Sequence, residues 1–176
     1  MTGILQAIAN DPRELPYLLV GGLAVVLHGH PRATFDIDLL IPDFSIDLWN
    51  AFLKEQGLTE YHRTEAFAQF EGSGSSSSVD LMIVDDRTFG KLERNSEMKW
   101  LDKVEVRVPS ARHLVALKLH ATRQENRARK EQDWNDVVAL IQGCDLDVTE
   151  GSFRELMERY GGPDAVREIE RRIAGE

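Results

Sequence analysis

The chain has 176 residues, 42% of them hydrophobic, which is enough for one domain with a substantial core and excludes a mostly disordered protein. Lys and Arg total 21 against 30 Asp and Glu, a net charge of -9 that argues against a broad nucleic-acid-binding face but leaves a local basic patch open. The single cysteine, Cys144, excludes an internal disulfide and a Cys-rich zinc site. With no apolar run near the ~20 residues of a membrane span and no signal-peptide pattern, we expect a cytoplasmic protein without a membrane partner.

The first part of the chain alternates short helical and strand patterns. A helix is predicted near residues 3–9, and "PYLLVGG" predicts a strand that ends at Gly21 and Gly22, with a helix in "LAVVLHGH" after it. A buried strand is predicted from Phe35 to Ile41, with Phe35, Ile37, Leu39 and Ile41 on one face. Ser45 is a predicted N-cap for the helix "IDLWNAFLKEQG". The segments "EYHRT" and "FAQFEG" predict a β-hairpin.

The remaining patterns change from strands to helices. The Ser-rich stretch Gly72–Ser78 predicts a flexible loop tip, and a strand over Val79–Asp85 and a short helix follow it. "MKWLDKVEVRVP" predicts a second hairpin, and from Ser110 the periodicity is helical. The sequence thus predicts an α/β (α+β) fold. A small mixed β-sheet core flanked by helices would occupy residues 1–108, with a C-terminal helical region, residues 109–176, packed on it.

Three acids lie inside otherwise apolar strand patterns. Asp36 and Asp38 share one strand face about 6.6 Å apart, where two like charges repel each other. They therefore lie either on a solvated edge or around a cation. Asp80, in "SVDLMIV", is a third acid of the same kind, which favours the cation. Clustered carboxylates are the hard ligands of Mg²⁺, and a pair of such ions can assist phosphoryl transfer.

Other candidates are weaker when taken alone. Gly21 and Gly22, between a strand and a helix, indicate either a tight turn or a phosphate-binding turn. Lys118 interrupts the apolar stripe of its helix, which predicts that it lies near the buried face. From there it either contacts a phosphate or extends its ammonium to water.

The stretch after Lys118 is rich in charge. Arg123, Arg127, Arg129 and Lys130 form either a phosphate-binding cluster or a solvated loop. Asp133 and Asp136 open the next helical pattern, where acids complement the helix dipole and Asp133 is a predicted N-cap.

Two longer segments carry a resemblance to a known family. "GGLAVVLHGHPRATFDIDLLI" resembles the signature of the polymerase-beta-like nucleotidyltransferase superfamily: a glycine turn, a helix and a DxD strand. With Arg32 and Thr34 before "DIDLLI" and the later "ALKLHATRQENRARKEQDWNDVVALI", the sequence is similar to the AbiEii-type nucleotidyltransferase toxins over residues 17–141.

The resemblance implies a nucleotidyltransferase site. Asp36 and Asp38 would ligate two Mg²⁺ ions, and Asp80 would complete the site as a metal ligand and as the base for the acceptor hydroxyl. Asp133 would support Lys118. The remaining residues would bind the nucleotide: Gly21, Gly22, Arg32, Thr34, Lys118, Arg123 and Lys130.

The implied reaction is transfer of a nucleoside monophosphate from a nucleoside triphosphate to an acceptor hydroxyl, with release of pyrophosphate. The acceptor would be RNA or protein, and the enzyme would be the toxin of a toxin–antitoxin pair with a cognate antitoxin as partner. One alternative is a small-molecule nucleotidyltransferase of the antibiotic type, because aminoglycoside enzymes also have "GG" followed by "R-x-T…DID". The other is an inactive binding module, which has no reason to keep three repelling acids together.

Overall fold

The computed structural model describes residues 2–72, 78–125 and 127–175, and it confirms the predicted fold class. Its described residues divide into two compact units. The first comprises the chain up to Leu27 and from Arg32 to Pro109, and the second comprises His28–Pro31 and the chain from Ser110 onward. The predicted packing of residues 109–176 on a core of residues 1–108 stays a prediction.

The first unit contains all the described strands. They are β1 (Leu18–Leu19), β2 (Ile37–Pro42), β3 (Leu58–Arg63), β4 (Phe67–Gly72), β5 (Ser78–Val84), β6 (Ser96–Leu101) and β7 (Val104–Pro109). The helices of this unit are α1 (Thr2–Ala9), α2 (Gly21–Leu27), α3 (Ile46–Glu55) and α4 (Asp86–Arg94). The predicted hairpins are confirmed as the antiparallel pairs β3–β4 and β6–β7. The predicted loop tip is Gly72–Ser78. Gly72 ends β4, Ser78 begins β5, and residues 73–77 between them lie outside the described residues.

A mixed five-stranded sheet has the order β1-β2-β5-β4-β3. Only β2 and β5 run parallel, while the other neighbours are antiparallel. Parallel neighbours need a long crossover connection, which α3, β3 and β4 provide here. Ile37, Leu39 and Leu81 are fully buried because β2 and β5 lie inside the sheet.

Ser45 precedes α3 as predicted, but its side chain does not cap the helix. A short 3₁₀ turn, Asp43–Ser45, comes before α3, and Ser45 already has helical φ and ψ angles. Its hydroxyl therefore reaches back and donates to the Pro42 carbonyl at 2.7 Å. A serine hydroxyl with helical backbone angles commonly makes such a local bond in place of a cap.

The second unit is helical. It contains α5 (Ala111–Thr122), α6 (Lys130–Gly143), α7 (Gly151–Gly161) and α8 (Ala165–Ala174). Ser110 is the N-cap of α5 as predicted, since its side chain accepts from the His113 N–H. The apolar faces of these helices bury Phe153, Met157 and Ile169 completely. No helix among the described residues has the length and apolar character that a membrane crossing requires.

Candidate active site

Asp38 and Asp80 stand side by side in the sheet. They are register partners on the parallel strands β2 and β5, and neighbouring strands lie about 4.8 Å apart. Their neighbours Ile37 and Leu39 are fully buried, whereas Asp38 and Asp80 are half-buried. Because side chains alternate along a strand, both carboxylates project from the face opposite to Ile37 and Leu39. Two acids far apart in sequence thus share one place in the fold.

Asp36 lies just before this strand pair. The predicted strand began at Phe35, but β2 begins at Ile37, where its pairing with β5 starts. Phe35 was predicted to share the buried face of Ile37, which is wrong, because its side chain is 73% exposed. Asp36 is nevertheless tied to β5, because the Ser78 hydroxyl donates to its Oδ1 at 2.9 Å.

A third strand adds a polar side chain to the same face. Gln69, on β4, is the register partner of Asp80, and its side-chain amide donates to Asp80 Oδ2 at 3.1 Å. Asp38, Asp80 and Gln69 therefore form a row across β2, β5 and β4.

The two glycines pack against other predicted site residues. A methyl group at Gly21 would lie 1.8 Å from Asp38 Oδ2, so the backbone of Gly21 is directly against this carboxylate. A methyl group at Gly22 would lie 2.5 Å from the Thr34 hydroxyl oxygen and 2.6 Å from Arg32 Nη2. Neither position has space for a side chain.

Gly21 provides a direct test of this packing. Its φ of 62° lies in the left-handed region, so Gly21→Ala combines backbone strain of about 1–3 kcal/mol with a clash against Asp38. We expect a clearly lower melting temperature for Gly21→Ala. Gly57→Ala is the control, because Gly57 also has a positive φ, 79°, but a methyl group there meets nothing within 4 Å. Equal melting temperatures for the two variants would contradict the packing of Gly21 on Asp38.

The second unit contains a buried ion cluster around Lys118. The Lys118 ammonium lies 3.0 Å from Asp133 Oδ1 and 2.7 Å from Asp136 Oδ2. Arg127 Nε also donates to Asp133, at 2.5 Å from Oδ2. Only Arg127 is appreciably exposed among these four residues. The prediction that Lys118 lies on the buried face of its helix is therefore confirmed.

The cluster changes the interpretation of Asp133. Asp133 was predicted to cap α6, but the helix begins at Lys130 and its N-cap is Arg129. Asp133 lies inside the first turn and faces the interior, where two cations occupy its oxygens. Burial opposes ionisation of Asp133, but the Arg127 hydrogen bond and the Lys118 charge outweigh burial and lower its pKa.

The basic residues after α5 have different environments. Arg127 binds Asp133, whereas Arg123, Arg129 and Lys130 are exposed at the ends of α5 and α6. The sequence pattern alone did not separate Arg127 from its neighbours. The nucleotide-binding roles of Arg123 and Lys130 stay predictions.

The donor set of the first unit fits a magnesium ion by its chemistry. Asp36, Asp38 and Asp80 offer carboxylate oxygens, the ligands that Mg²⁺ prefers. In the residues that the structure describes, no group of three or more His, Cys, Asp and Glu side chains is arranged to hold a metal ion. Mg²⁺ is usually held by one or two carboxylates together with substrate phosphates and water. A pair such as Asp38 and Asp80 meets that requirement.

Several solved structures share this fold at low sequence identity. ANT(2″)-Ia, in complex with adenylyl-2″-tobramycin, has a TM-score of 0.67 and 18% identity, covering 90% of this chain and 95% of that one. An antigenic nucleotidyltransferase-like protein from Paracoccidioides brasiliensis has a TM-score of 0.57 and 15% identity, covering 96% and 90%. Megavirus polyadenylate synthase has a TM-score of 0.56 and 12% identity, covering 84% and 32%. The fold is that of the nucleotidyltransferases.

The amino-acid sequence also matches a known protein family. Residues 3–176 match the family described as nucleotidyl transferase AbiEii toxin, type IV TA system. The chain belongs to this family, and it is a nucleotidyltransferase. A comparison with curated protein sequences finds no significant match.

Two polar contacts of the site were not predicted. Gln69 occurs in the alternating pattern "FAQFEG" and Ser78 ends the Ser-rich stretch, so neither differs from an ordinary strand or loop residue. Only the register of β4, β5 and β2 brings them to Asp80 and Asp36. A polar residue opposite an acid on a predicted neighbouring strand is the signal that could have identified Gln69.

Proposed function

We propose that the protein transfers a nucleoside monophosphate from a nucleoside triphosphate to a hydroxyl of RNA or protein, with Mg²⁺ and with release of pyrophosphate. It would act as the toxin of a toxin–antitoxin pair. The observation that supports this most strongly is the pairing of Asp38 with Asp80 in register, with Gly21 directly against Asp38. Mg²⁺ is usually held by one or two carboxylates together with substrate phosphates, and such a pair suits that arrangement.

The acids of the first unit have distinct proposed roles. Asp36 and Asp38 would hold the cations, and Asp80 would also accept the proton of the acceptor hydroxyl as it attacks the α-phosphate. When bound, Mg²⁺ ions would neutralise charge on the triphosphate and on the attacking and leaving oxygens. Most of the rate enhancement in such reactions comes from positioning and charge stabilisation.

The remaining candidates would bind the phosphates. Gly21 and Gly22 form the first turn of α2, and Arg32 and Thr34 lie against Gly22. A lysine ammonium has three N–H donors, and two of them serve Asp133 and Asp136 in the Lys118 cluster. In this proposal the third donor binds the triphosphate, and Asp133 supports Lys118 by fixing its ammonium. Arg123 and Lys130 would add positive charge for phosphates of the nucleotide.

The family suggests the class of acceptor and partner. Because the family is one of toxins in a toxin–antitoxin system, we propose a cellular macromolecule as acceptor and a cognate antitoxin as the protein that counteracts the activity. Because the net charge is -9, binding of RNA would depend on local basic residues such as Arg123 and Lys130.

A small-molecule acceptor is the second candidate. ANT(2″)-Ia, whose structure contains adenylyl-2″-tobramycin, matches this chain over nearly the full length of both proteins. A negatively charged protein also attracts a cationic drug. In this alternative the same acids perform the same transfer, and only the acceptor differs.

One labelling experiment separates these candidates. The protein is incubated with Mg²⁺ and each α-labelled triphosphate in turn, with total RNA, cell lysate or an aminoglycoside as acceptor. We expect label in RNA or protein, and no label with Asp80→Asn. Label confined to the aminoglycoside would favour the second candidate. No label in any fraction would contradict the proposed activity and favour a binding module.

A further inference from the structure

The side-chain amide of Gln69 contacts Asp80, which in the proposed function is both a metal ligand and the base for the acceptor hydroxyl. Gln69 on β4 and Asp80 on β5 are register partners, and Gln69 Nε2 lies 3.1 Å from Asp80 Oδ2. The neighbours of Gln69, Ala68 and Phe70, are buried in the opposite face of the sheet. The alternation of β4 therefore directs Gln69 to the face of Asp80.

The hydrogen bond from Gln69 restricts the orientation of the Asp80 carboxylate. The terminal torsion of an aspartate is broad, so its carboxylate plane is poorly fixed by packing alone. A donor on a neighbouring strand that binds one oxygen holds this plane against a rigid sheet. Since catalytic groups must be held within a fraction of an ångström, the orientation of Asp80 affects the proposed transfer directly.

The chemistry of the donor also matters. An amide is uncharged, so it orients the carboxylate without neutralising it, and the acid keeps its attraction for a cation. An uncharged partner suits a carboxylate that must bind a metal ion.

We propose that Gln69 is a positioning residue of the active site, which fixes the Asp80 carboxylate in the orientation that metal binding and nucleotidyl transfer require. The role of Asp80 in transfer rests on the proposed function. The effect of Gln69 on metal binding can be measured without turnover.

Gln69→Met tests this proposal, because methionine keeps the length of the side chain and removes the donor. We expect kcat to fall about 10- to 100-fold, as for other groups that orient metal ligands. The KM for the triphosphate should change much less, because other residues hold the phosphates. Mn²⁺ binding in the presence of a non-hydrolysable triphosphate, followed by electron paramagnetic resonance of the free ion, should weaken about tenfold.

Gln56→Met is the matched control, since it makes the same replacement at an exposed residue after α3. It should behave as wild type in every assay. All measurements are made well below the melting temperature of each variant, so that lost folding does not imitate lost positioning.

Two results for Gln69→Met would overturn the proposal. One is that its kcat and its Mn²⁺ affinity both stay within about twofold of wild type. The other is a fall in kcat matched by an equal rise in KM, with unchanged Mn²⁺ binding. If the wild type binds Mn²⁺ but labels no acceptor, the proposed function fails, and the Mn²⁺ comparison alone decides the role of Gln69. A wild type that does not bind Mn²⁺ overturns both.

Discussion

Asp38→Asn is expected to melt at a higher temperature than wild type in chelator, and at a lower temperature than wild type in Mg²⁺ with the preferred triphosphate. Without a metal, Asp38 and Asp80 repel each other across adjacent strands, and the neutral amide removes that repulsion. With ligand, only the wild type gains RT ln(1 + [L]/Kd), roughly 2.7 kcal/mol at a hundredfold excess over Kd. This corresponds to about 5–10 °C for a chain of this size.

Thermal melts of the two proteins in both media provide the measurement, with transfer activity assayed in parallel. Asp38→Asn should lose more than about 100-fold in activity, because it removes a proposed metal ligand. Asp43→Asn is the control, since Asp43 is exposed in the turn after β2 and should behave as wild type in both media. A lower melting temperature of Asp38→Asn in chelator would identify Asp38 as an acid that stabilises the fold through a protein partner.

Lys118→Met is expected to give the largest loss of stability, about 3–5 kcal/mol, because it leaves Asp133 and Asp136 buried with less compensating charge. Arg154→Met is the matched control in the same unit. The Arg154–Glu158 pair is exposed, and such pairs contribute about 0–1 kcal/mol. Urea unfolding of both variants gives the comparison, and similar losses would show that the Lys118 cluster does not stabilise the fold.

The loss caused by Lys118→Met should depend on pH. The pKa of Asp133 is lowered in the folded protein, so its contribution is complete above its unfolded pKa, near 4, and is lost as the pH falls through the lower folded value. The difference in stability between wild type and Lys118→Met should therefore shrink below about pH 4. Urea titrations at pH 7 and below pH 4 provide the measurement, and a constant difference would place the stabilisation elsewhere.

The sequence allowed the fold class, most elements and the family to be predicted, because these depend on local periodicity and on short motifs. Asp38 and Asp80 were identified as acids within apolar strands, and their pairing in register agrees with that pattern. The predictions that were wrong concern residues whose environment depends on neighbours in the fold, which a single sequence does not reveal. Phe35 is exposed because β2 acquires a partner only from Ile37, and Asp133 is drawn inside by Lys118 and Arg127.

The contacts of Gln69 and Ser78 could not be predicted from the sequence either. Both are ordinary polar residues by composition, and strand order and register give them their partners. Register is set by the packing of whole strands, so a shift of one residue would move Gln69 to the opposite face. Local sequence does not contain this information.

The parallel pairing of β2 and β5 also determines when the protein acquires its carboxylate pair. Asp38 and Asp80 are brought together only when a chain segment of more than forty residues has been closed into a crossover. Closing such a segment costs entropy that the later contacts must recover, and pairings of this kind form slowly. A chain still being synthesised, or one whose sheet has opened between β2 and β5, therefore lacks the assembled pair. Control of folding would thus be control of activity, even with every proposed catalytic residue already present in the chain.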